Sequence, residues 1–235
     1  RDILNTELFY GYTNGTPELR QRVADMYGNQ FAKNNVLITS GSAEANFLSV
    51  MTQLEPGDEI IYMVPNYLQI LHLARSFGIN VKPLPIRQEL GWQWDPDEIE
   101  NMITSKTKMI AVCNPNNPTG SVMSNQIMDR VIEIAKERDV WLLSDEVYRG
   151  AELNGEECRS FAGATEKTIV NAGLSKAYSL PGLRMGWSVG SESYIERAWS
   201  FHDFTVINVA YLSDWVASRI LEYSRRKAIL DRTKK

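Results

Sequence analysis

Residues 109–148 read MIAVCNPNNPTGSVMSNQIMDRVIEIAKERDVWLLSDEVY: an apolar run, a polar turn, an amphipathic stretch and a second apolar run. The two runs, Met109–Pro115 and Val140–Tyr148, are apolar over most of their length, as expected for strands that are covered on both faces. The stretch between them, Asn125–Arg138, has its apolar residues at a helical spacing. A strand, a helix and a second strand in this order predict a βαβ unit with parallel strands.

The same alternation extends over the rest of the chain. It predicts an α/β fold with three layers, α/β/α, around a mainly parallel, seven-stranded sheet. The predicted strands are Val36–Ser40, Glu59–Pro65, Asn80–Ile86, Met109–Pro115, Val140–Tyr148, Thr168–Ser175 and Met185–Gly190. The predicted helices are Pro17–Phe31, Ala43–Leu54, Tyr67–Phe77, Asp95–Ile103, Asn125–Arg138 and Ser191–Phe204, before an amphipathic tail from Ala210 to about Arg232. Thr16 is the expected N-cap of the first helix, because Pro17 suits its first position.

Composition limits the classes of protein to consider. The 235 residues are 43% hydrophobic and 23% charged, which is typical of a globular protein with a sizeable core. A net charge of −4 gives no support for binding to nucleic acid or an anionic membrane, and no apolar run approaches the ~20 residues of a membrane span. Two cysteines, Cys113 and Cys158, favour a reducing cytoplasm over a disulfide framework, and the spacing typical of metal sites is absent. Because the chain does not begin with Met, we expect it to be a piece of a longer protein.

Two of the predicted strands are followed by turns of small or polar residues, at the edge where α/β sheets bind ligands. Gly41, Ser42 and Ala43 form a turn that opens a helix. Such a turn either binds an anion through its N–H groups or only meets the steric needs of a tight connection. The second turn, Asn114–Gly120, contains three asparagines and two prolines, more turn-forming residues than a simple surface turn requires.

Charged residues follow two further strands. Asp145 ends an apolar strand, where a carboxylate needs a partner such as Arg149 or Lys176 unless it caps a helix. Lys176 follows the apolar residues Thr168–Leu174 and either extends into water or forms a Schiff base in a pocket. Arg184 could pair with Asp145 or bind an anion. A lysine, a carboxylate, an amide, a phenol, an arginine and a glycine turn on one rim match the needs of pyridoxal 5′-phosphate (PLP).

Three motifs make the chain resemble the class I/II aminotransferases, which belong to fold type I of the PLP-dependent enzymes. They are NPNNPTG at Asn114–Gly120, SDEVY at Ser144–Tyr148 and SKAYSLPGLRMGW at Ser175–Trp187, in the order of the family. The resemblance runs from Tyr10 to at least Trp187. It implies that residues 1–235 are the PLP-binding large domain of an aminotransferase, which moves an amino group between an amino acid and a 2-oxo acid.

The resemblance implies roles for the residues around the cofactor ring. Lys176 would bind PLP as a Schiff base and then move the α-proton of the substrate. Asp145 would keep the pyridine nitrogen protonated. Asn117 and Tyr148 would hydrogen-bond the ring hydroxyl, and Tyr67 would stack on the ring.

The resemblance also implies how the cofactor phosphate is held. Its ligands would be Gly41, Ser42, Ala43 and Arg184. Tyr10 would reach the phosphate of a neighbouring subunit, which implies a homodimer. Many relatives have Ser or Thr at the position of Gly173, so one phosphate contact is lost here or passes to Ser175 or Ser179.

Other functions stay open at this point. The same residues would serve another PLP reaction, such as that of a C–S or β/γ lyase, an oxidase or a cyclase, and a non-catalytic dimerising module is a remote alternative. GWSVG at Gly186–Gly190 matches the Gly-x-Ser-x-Gly of α/β-hydrolases. Of the two histidines, His72 and His202, only His202 follows it, with no room for the usual acid between them. The family's smaller C-terminal domain, which usually binds the substrate carboxylate, is expected to be absent or not included.

Overall fold

The structure is a computed structural model that describes residues 2–5 and 7–233. Its strands are β1 Val36–Thr39, β2 Glu59–Val64, β3 Asn80–Pro85, β4 Thr107–Cys113, β5 Trp141–Asp145, β6 Thr168–Gly173 and β7 Gly186–Val189. They form one seven-stranded sheet in the order β1-β7-β6-β5-β4-β2-β3. Neighbouring strands are parallel except at β7, which is antiparallel to β1 and β6. The predicted mainly parallel sheet is therefore confirmed.

The helices also follow the predicted order. They are α1 Pro17–Asp25, α2 Ser42–Gln53, α3 Gln69–Ser76, α4 Pro96–Met102, α5 Asn125–Glu137, α6 Glu192–His202, α7 Tyr211–Ile220 and α8 Tyr223–Thr233. As predicted, Thr16 caps α1, since its Oγ1 accepts the N–H of Leu19 at 3.3 Å. One predicted boundary was wrong: the first helix ends at Asp25 rather than Phe31, because the chain turns at Gly28, whose φ is +116°. The amphipathic tail after Ala210 forms the two helices α7 and α8.

Alternation along β2 shows how the sheet is covered on both faces. Ile61 and Met63 point into a core that includes residues of α1, α4, α5, α7 and α8. Ile60 and Tyr62 point into a second core, shared with α2, α3 and α6. The result is the predicted three-layer α/β/α arrangement. It places the start of α2 at the same edge of the sheet as the ends of β4, β5 and β6, since β1 runs in the same direction as these strands.

Both cysteines are free thiols, Cys113 buried and Cys158 half-buried. Within the described residues, none of the helices has both the length and the apolar character needed to cross a membrane.

Candidate active site

The turn after β1 forms the start of α2. Gly41 has a φ of +81°, and its backbone leads directly into the first helical residue, Ser42. The first N–H groups of a helix have no acceptor within the helix, so they face outward from the sheet edge. The turn is held in place because Glu44 Oε2 accepts the N–H of Ser40 at 2.6 Å and Thr39 Oγ1 donates to the Gly41 carbonyl at 3.0 Å. The geometry is that of an anion site.

The Arg184 guanidinium lies against this turn. Its Nη1 donates to Ser175 Oγ at 3.3 Å and to the Pro181 carbonyl at 3.1 Å. A Cβ added to Gly41 would lie 2.6 Å from Arg184 Nη2, so the glycine makes room for the guanidinium. Within the described residues Arg184 forms no ion pair with Asp145, which leaves its positive charge beside the α2 N-terminus.

The resemblance to the family predicts a hydroxyl at the position of Gly173. A Cβ added there would lie 2.8 Å from the Met185 carbonyl oxygen, so any side chain would force the backbone apart. Ser175 and Ser179 are the candidate replacements. Ser175 Oγ contacts the arginine of the anion site, whereas Ser179 Oγ lies 3.3 Å from Thr233 Oγ1. Ser175 is therefore the hydroxyl that lies beside the anion site.

Gly186 allows the turn to pack on β7. A Cβ added to Gly186 would lie 2.4 Å from both Gly41 C and Ser42 N, which are backbone atoms. Gly186→Ala is expected to destabilise the fold by about 3 kcal/mol and to weaken phosphate binding, because the turn must move. Gly182→Ala is the control, since a Cβ there has no atom within 4 Å. Urea unfolding and titration with inorganic phosphate measure both effects; equal stability of the two variants would contradict the prediction.

Asp145 ends β5 in a buried position. Its Oδ2 accepts the Asn46 Nδ2–H at 3.0 Å, and its Oδ1 accepts the N–H of Val147 at 3.2 Å. Burial raises the pKa of Asp145, while these two hydrogen bonds and the charge of Lys176 oppose the rise. Neither a helix cap nor a salt bridge to Arg149 accounts for the carboxylate; hydrogen-bond donors and Lys176 surround it instead.

Lys176 and two tyrosines lie close to Asp145. The Lys176 Nζ is 5.9 Å from the centroid of the Tyr148 ring. The pKa of Tyr148 is raised by burial and then by the nearby Cys113, Asp145 and Tyr67. Tyr67 is 62% exposed, so most of its ring is accessible. The structure thus brings the predicted residues Lys176, Asp145, Tyr148 and Tyr67 together.

The turn after β4 uses two of its asparagines for its own structure. Asn114 Oδ1 accepts the N–H of Met123 at 2.9 Å, and Asn116 Oδ1 accepts the Thr119 hydroxyl at 2.8 Å. Asn117 is half-buried, and its side chain makes no hydrogen bond to another described residue. Asn117 is therefore the asparagine of this turn whose amide remains available to a ligand.

Tyr10 makes no hydrogen bond or ring contact with the described residues of this site. It is 80% exposed, next to Phe9, whose ring lies 4.3 Å from that of Tyr211. No contact between described residues joins Tyr10 to Arg184. The predicted role of Tyr10 therefore requires a second subunit.

The hydrolase alternative is wrong. Ser188, the serine of GWSVG, lies within β7 and is buried. Its hydroxyl donates to Asn171 Oδ1 at 2.6 Å, whereas a nucleophile elbow exposes its serine at a strand-to-helix turn. His202 is fully buried as well, and its Nδ1 lies 3.2 Å from Glu44 Oε1.

Glu146, next to the site, is a buried carboxylate that sequence analysis did not single out. Its Oε1 accepts from Ser144 Oγ, Ser160 Oγ and the Phe161 N–H, at 3.3, 2.9 and 2.9 Å. Its Oε2 has no partner among the described residues. Burial outweighs the attraction of Arg149 and raises the pKa of Glu146 to about 7. A carboxyl that is half protonated near neutral pH fits this one-sided set of donors.

Glu146→Gln is expected to remove a pH dependence of stability. Because the folded pKa of about 7 lies above the ordinary value of 4.5, the wild-type fold loses stability as pH rises from 4.5 through 7. This loss is at most about 3 kcal/mol. The neutral variant should therefore exceed the wild type at pH 8 and differ little at pH 5. Urea unfolding at both pH values measures this, with the exposed Glu156→Gln as control; a similar difference at both pH values would speak against it.

Comparisons with known proteins identify the family of this chain. Residues 3–228 match the model of the family described as aminotransferase class I and II. The chain is 29% identical over 219 residues to the aspartate/prephenate aminotransferase of Thermus thermophilus, covering 90% of this chain and 56% of that protein. It is 31% identical over 194 residues to the arginine–pyruvate transaminase of Pseudomonas aeruginosa, covering 80% of this chain and 49% of that protein. The chain therefore spans about half the length of the curated relatives it matches.

A solved structure extends the agreement to the fold. A PLP-dependent aminotransferase from Streptococcus suis superposes with a TM-score of 0.87 at 33% identity, covering 98% of this chain and 60% of that chain. A double mutant of the aspartate aminotransferase of Thermus thermophilus gives a TM-score of 0.91 at 27% identity, covering 97% of this chain and 61% of that chain. The family model, the strand order and the residues at the strand ends lead to one conclusion: the chain belongs to the class I and II aminotransferase family.

Proposed function

We propose that this chain binds PLP through Lys176 and is the cofactor-binding large domain of an enzyme that transfers an amino group between an amino acid and a 2-oxo acid. The observation that carries this proposal is the buried carboxylate of Asp145, which faces Lys176 beside an anion site. The names of the relatives support it, since all those described above are aminotransferases or transaminases. We further propose that the smaller domain is not among these residues, because the described strands all belong to one sheet.

The side chains fit each part of PLP. Beside the α2 N-terminus, the Arg184 guanidinium and the Ser175 hydroxyl suit a phosphate dianion. Asp145 has one donor on each carboxylate oxygen and can accept a further hydrogen bond from a pyridinium nitrogen. The residues proposed to hold the cofactor are Gly41, Ser42, Ala43, Tyr67, Asn117, Asp145, Tyr148, Ser175, Lys176 and Arg184, with Tyr10 from a second subunit.

When bound, PLP supplies an aldehyde that joins amino groups and a conjugated ring that takes up electrons. Lys176 would hold the cofactor, and its Nζ would then accept the proton from the substrate α-carbon and donate it to the former aldehyde carbon of the cofactor, because return to the α-carbon would transfer no amino group. Asp145 would hold a proton on the ring nitrogen, which would keep the ring able to take up electrons. Asn117 and Tyr148 would hydrogen-bond the ring hydroxyl, and Tyr67 would stack on the ring.

The experiment that tests this proposal is reduction of the PLP-loaded protein with borohydride, followed by peptide mass mapping. We expect a visible absorption band before reduction and a phosphopyridoxyl group on Lys176 afterwards. Lys167 provides an internal control, because it precedes β6 whereas Lys176 follows it. Reduction products on other lysines but not on Lys176 would overturn the proposal.

We also infer a homodimer, located in the cytoplasm. Apolar side chains are exposed on the N-terminal segment and on the turn after α6, an arrangement typical of an interaction surface. They are Leu8, Phe9, Tyr10, Tyr12, Phe204 and Ile207. The N-terminal segment lies against both α6 and the turn: Trp199 Nε1 on α6 donates to Thr13 Oγ1 at 2.8 Å, and a Cβ added to Gly11 would lie 3.7 Å from Asn208 Nδ2. The free thiols of both cysteines support a location in the cytoplasm. The molecular mass in solution tests the dimer, and a monomer in the presence of PLP would contradict it.

A further inference from the structure

Asp145 is joined to a chain of buried polar side chains that crosses the layer between the sheet and helices α2 and α6. Asn46 Nδ2 donates to Asp145 Oδ2 at 3.0 Å, and Asn46 Oδ1 accepts from Asn171 Nδ2 at 2.9 Å. Asn171 Oδ1 in turn accepts from Ser188 Oγ at 2.6 Å, and Ser188 Oγ lies 2.7 Å from the Tyr194 hydroxyl. The four residues beyond Asp145 are at most 1% exposed.

The charge of Asp145 gives this chain of hydrogen bonds a direction. An ionised carboxylate only accepts hydrogen bonds, so Asn46 must present its NH₂ group to Asp145 and its oxygen to Asn171. Asn171 therefore presents its NH₂ group to Asn46, and also to Ser49 Oγ at 2.9 Å. Hydrogen bonds aligned in this way polarise one another and strengthen the last bond of the series. The amide orientations are thus coupled to the ionised state of Asp145.

We infer that Asn46 and Asn171 are positioning residues, which fix the orientation of Asp145 and favour its ionised form so that it can hold the proton on the PLP ring nitrogen. The inference rests on the proposed function. Burying two amides costs free energy unless both are hydrogen-bonded, and an apolar pair would pack the same space without that requirement. Their place behind Asp145 gives the amides a role that an apolar pair could not fill.

Other titratable groups also face Asp145. They are Lys176 after β6, Tyr62 on β2, Cys113 on β4, and Tyr148 beyond the end of β5. Burial raises the pKa of Tyr62, Cys113 and Tyr148, so all three are neutral at pH 7. Lys176 is then the cation of this group, and covalent use of its Nζ changes that charge. The amide of Asn46 and the N–H of Val147 are the favourable contacts that do not change with the state of the lysine.

The first test uses the cofactor-free chain with Asn46→Ala. Because burial already raises the pKa of Asp145, the fold loses stability as pH rises from the ordinary value through the folded value. Loss of the Asn46 donor should raise this pKa further and increase the drop in melting temperature between pH 4, near the ordinary value, and pH 8 by about 3 °C or more. The added drop should vanish when Asp145→Asn is combined with Asn46→Ala.

Thr52→Val is the matched control for Asn46→Ala. Thr52 lies on the buried side of the same helix, and its hydroxyl donates to the Leu48 carbonyl at 2.7 Å, outside this chain of hydrogen bonds. It should alter stability equally at pH 4 and pH 8. The same pH dependence in Asn46→Ala as in Thr52→Val would overturn the inference.

The second test uses the PLP-loaded protein and reads the pH at which its visible absorption changes. Asn46→Ala and Asn46→Asp should move this midpoint upward by about 0.5 pH unit or more. The group that titrates is the nitrogen that joins Lys176 to PLP, and its proton becomes less acidic when the ring nitrogen is less firmly protonated. Thr52→Val should not move it. An unmoved midpoint in both Asn46 variants would contradict the inference. A wild-type protein without an adduct on Lys176 would overturn the proposed function instead, and the cofactor-free measurement would still decide the role of Asn46.

Discussion

Replacing Lys176 by alanine is expected to abolish amino-group transfer. The rate should fall by roughly 10⁴-fold or more, because the same Nζ holds the cofactor and moves the substrate proton. The fold should be retained. Lys176 is exposed, and substitutions at exposed positions change stability by about 0.5 kcal/mol or less. The variant therefore separates loss of chemistry from loss of structure.

The measurement for Lys176→Ala is a product assay on the full-length protein, with several amino donors and 2-oxo acids. Such an assay also distinguishes amino-group transfer from elimination or oxidation. Lys167→Ala is the matched control, since Lys167 lies at the opposite end of β6 and pairs with Asp139 at 2.7 Å. It should retain full activity and the borohydride adduct. Near-normal turnover in Lys176→Ala would remove this lysine from the mechanism.

The sheet was predictable because strands that are buried on both faces are apolar over most of their length. The strand predicted at Met109–Pro115 is observed as Thr107–Cys113, and each of the other predicted strands has an observed counterpart. The proximity of Asp145 and Lys176 was also predictable from the order of the strands. The carboxyl ends of parallel strands lie at one edge, so residues that follow β5 and β6 must lie near each other.

The end of α1 was not predictable from apolar spacing. The pattern continues after Asp25 through Tyr27 and Phe31, and both side chains do pack against the core. They reach it from a turn rather than from a helix. The spacing of apolar residues records which side chains are buried, and a turn that contains Gly28 can bury the same side chains.

The partners of the buried polar residues were also beyond the sequence. Asn46 and Asp145 are hydrogen-bonded across a separation of 99 residues. A pattern local to α2 shows an asparagine among apolar residues but not what it faces. Glu146 is a similar case, because its burial depends on Ser160 and Phe161 in a loop without regular structure. The motifs in the sequence predict which residues take part in the reaction. The residues that hold them in place by hydrogen bonds depend on contacts between distant segments.

Asp145→Asn is expected to leave PLP bound and to slow proton removal by a factor on the order of 10²–10³. The variant side chain has nearly the same shape but no charge to hold a proton on the ring nitrogen. One of its amide hydrogens must also face a donor, either Asn46 Nδ2 or the Val147 N–H, unless Asn46 turns round and passes the conflict to Asn171. That conflict costs about 1–3 kcal/mol, and relief of the buried charge offsets part of it. The expected signature is a large loss of rate with a small change in stability.

Asp214→Asn is the control for the loss of rate expected in Asp145→Asn. Asp214 is also buried, burial also raises its pKa, and its carboxylate accepts from the Thr16 N–H and hydroxyl at 2.9 and 2.6 Å, between α1 and α7. A general effect of removing a buried charge would appear in both variants. A loss of rate in Asp145→Asn alone, measured as single-turnover kinetics beside urea unfolding, would assign the effect to the ring nitrogen. An unchanged rate would remove Asp145 from that role, whatever happens to stability, because stability alone cannot distinguish one buried carboxylate from the other.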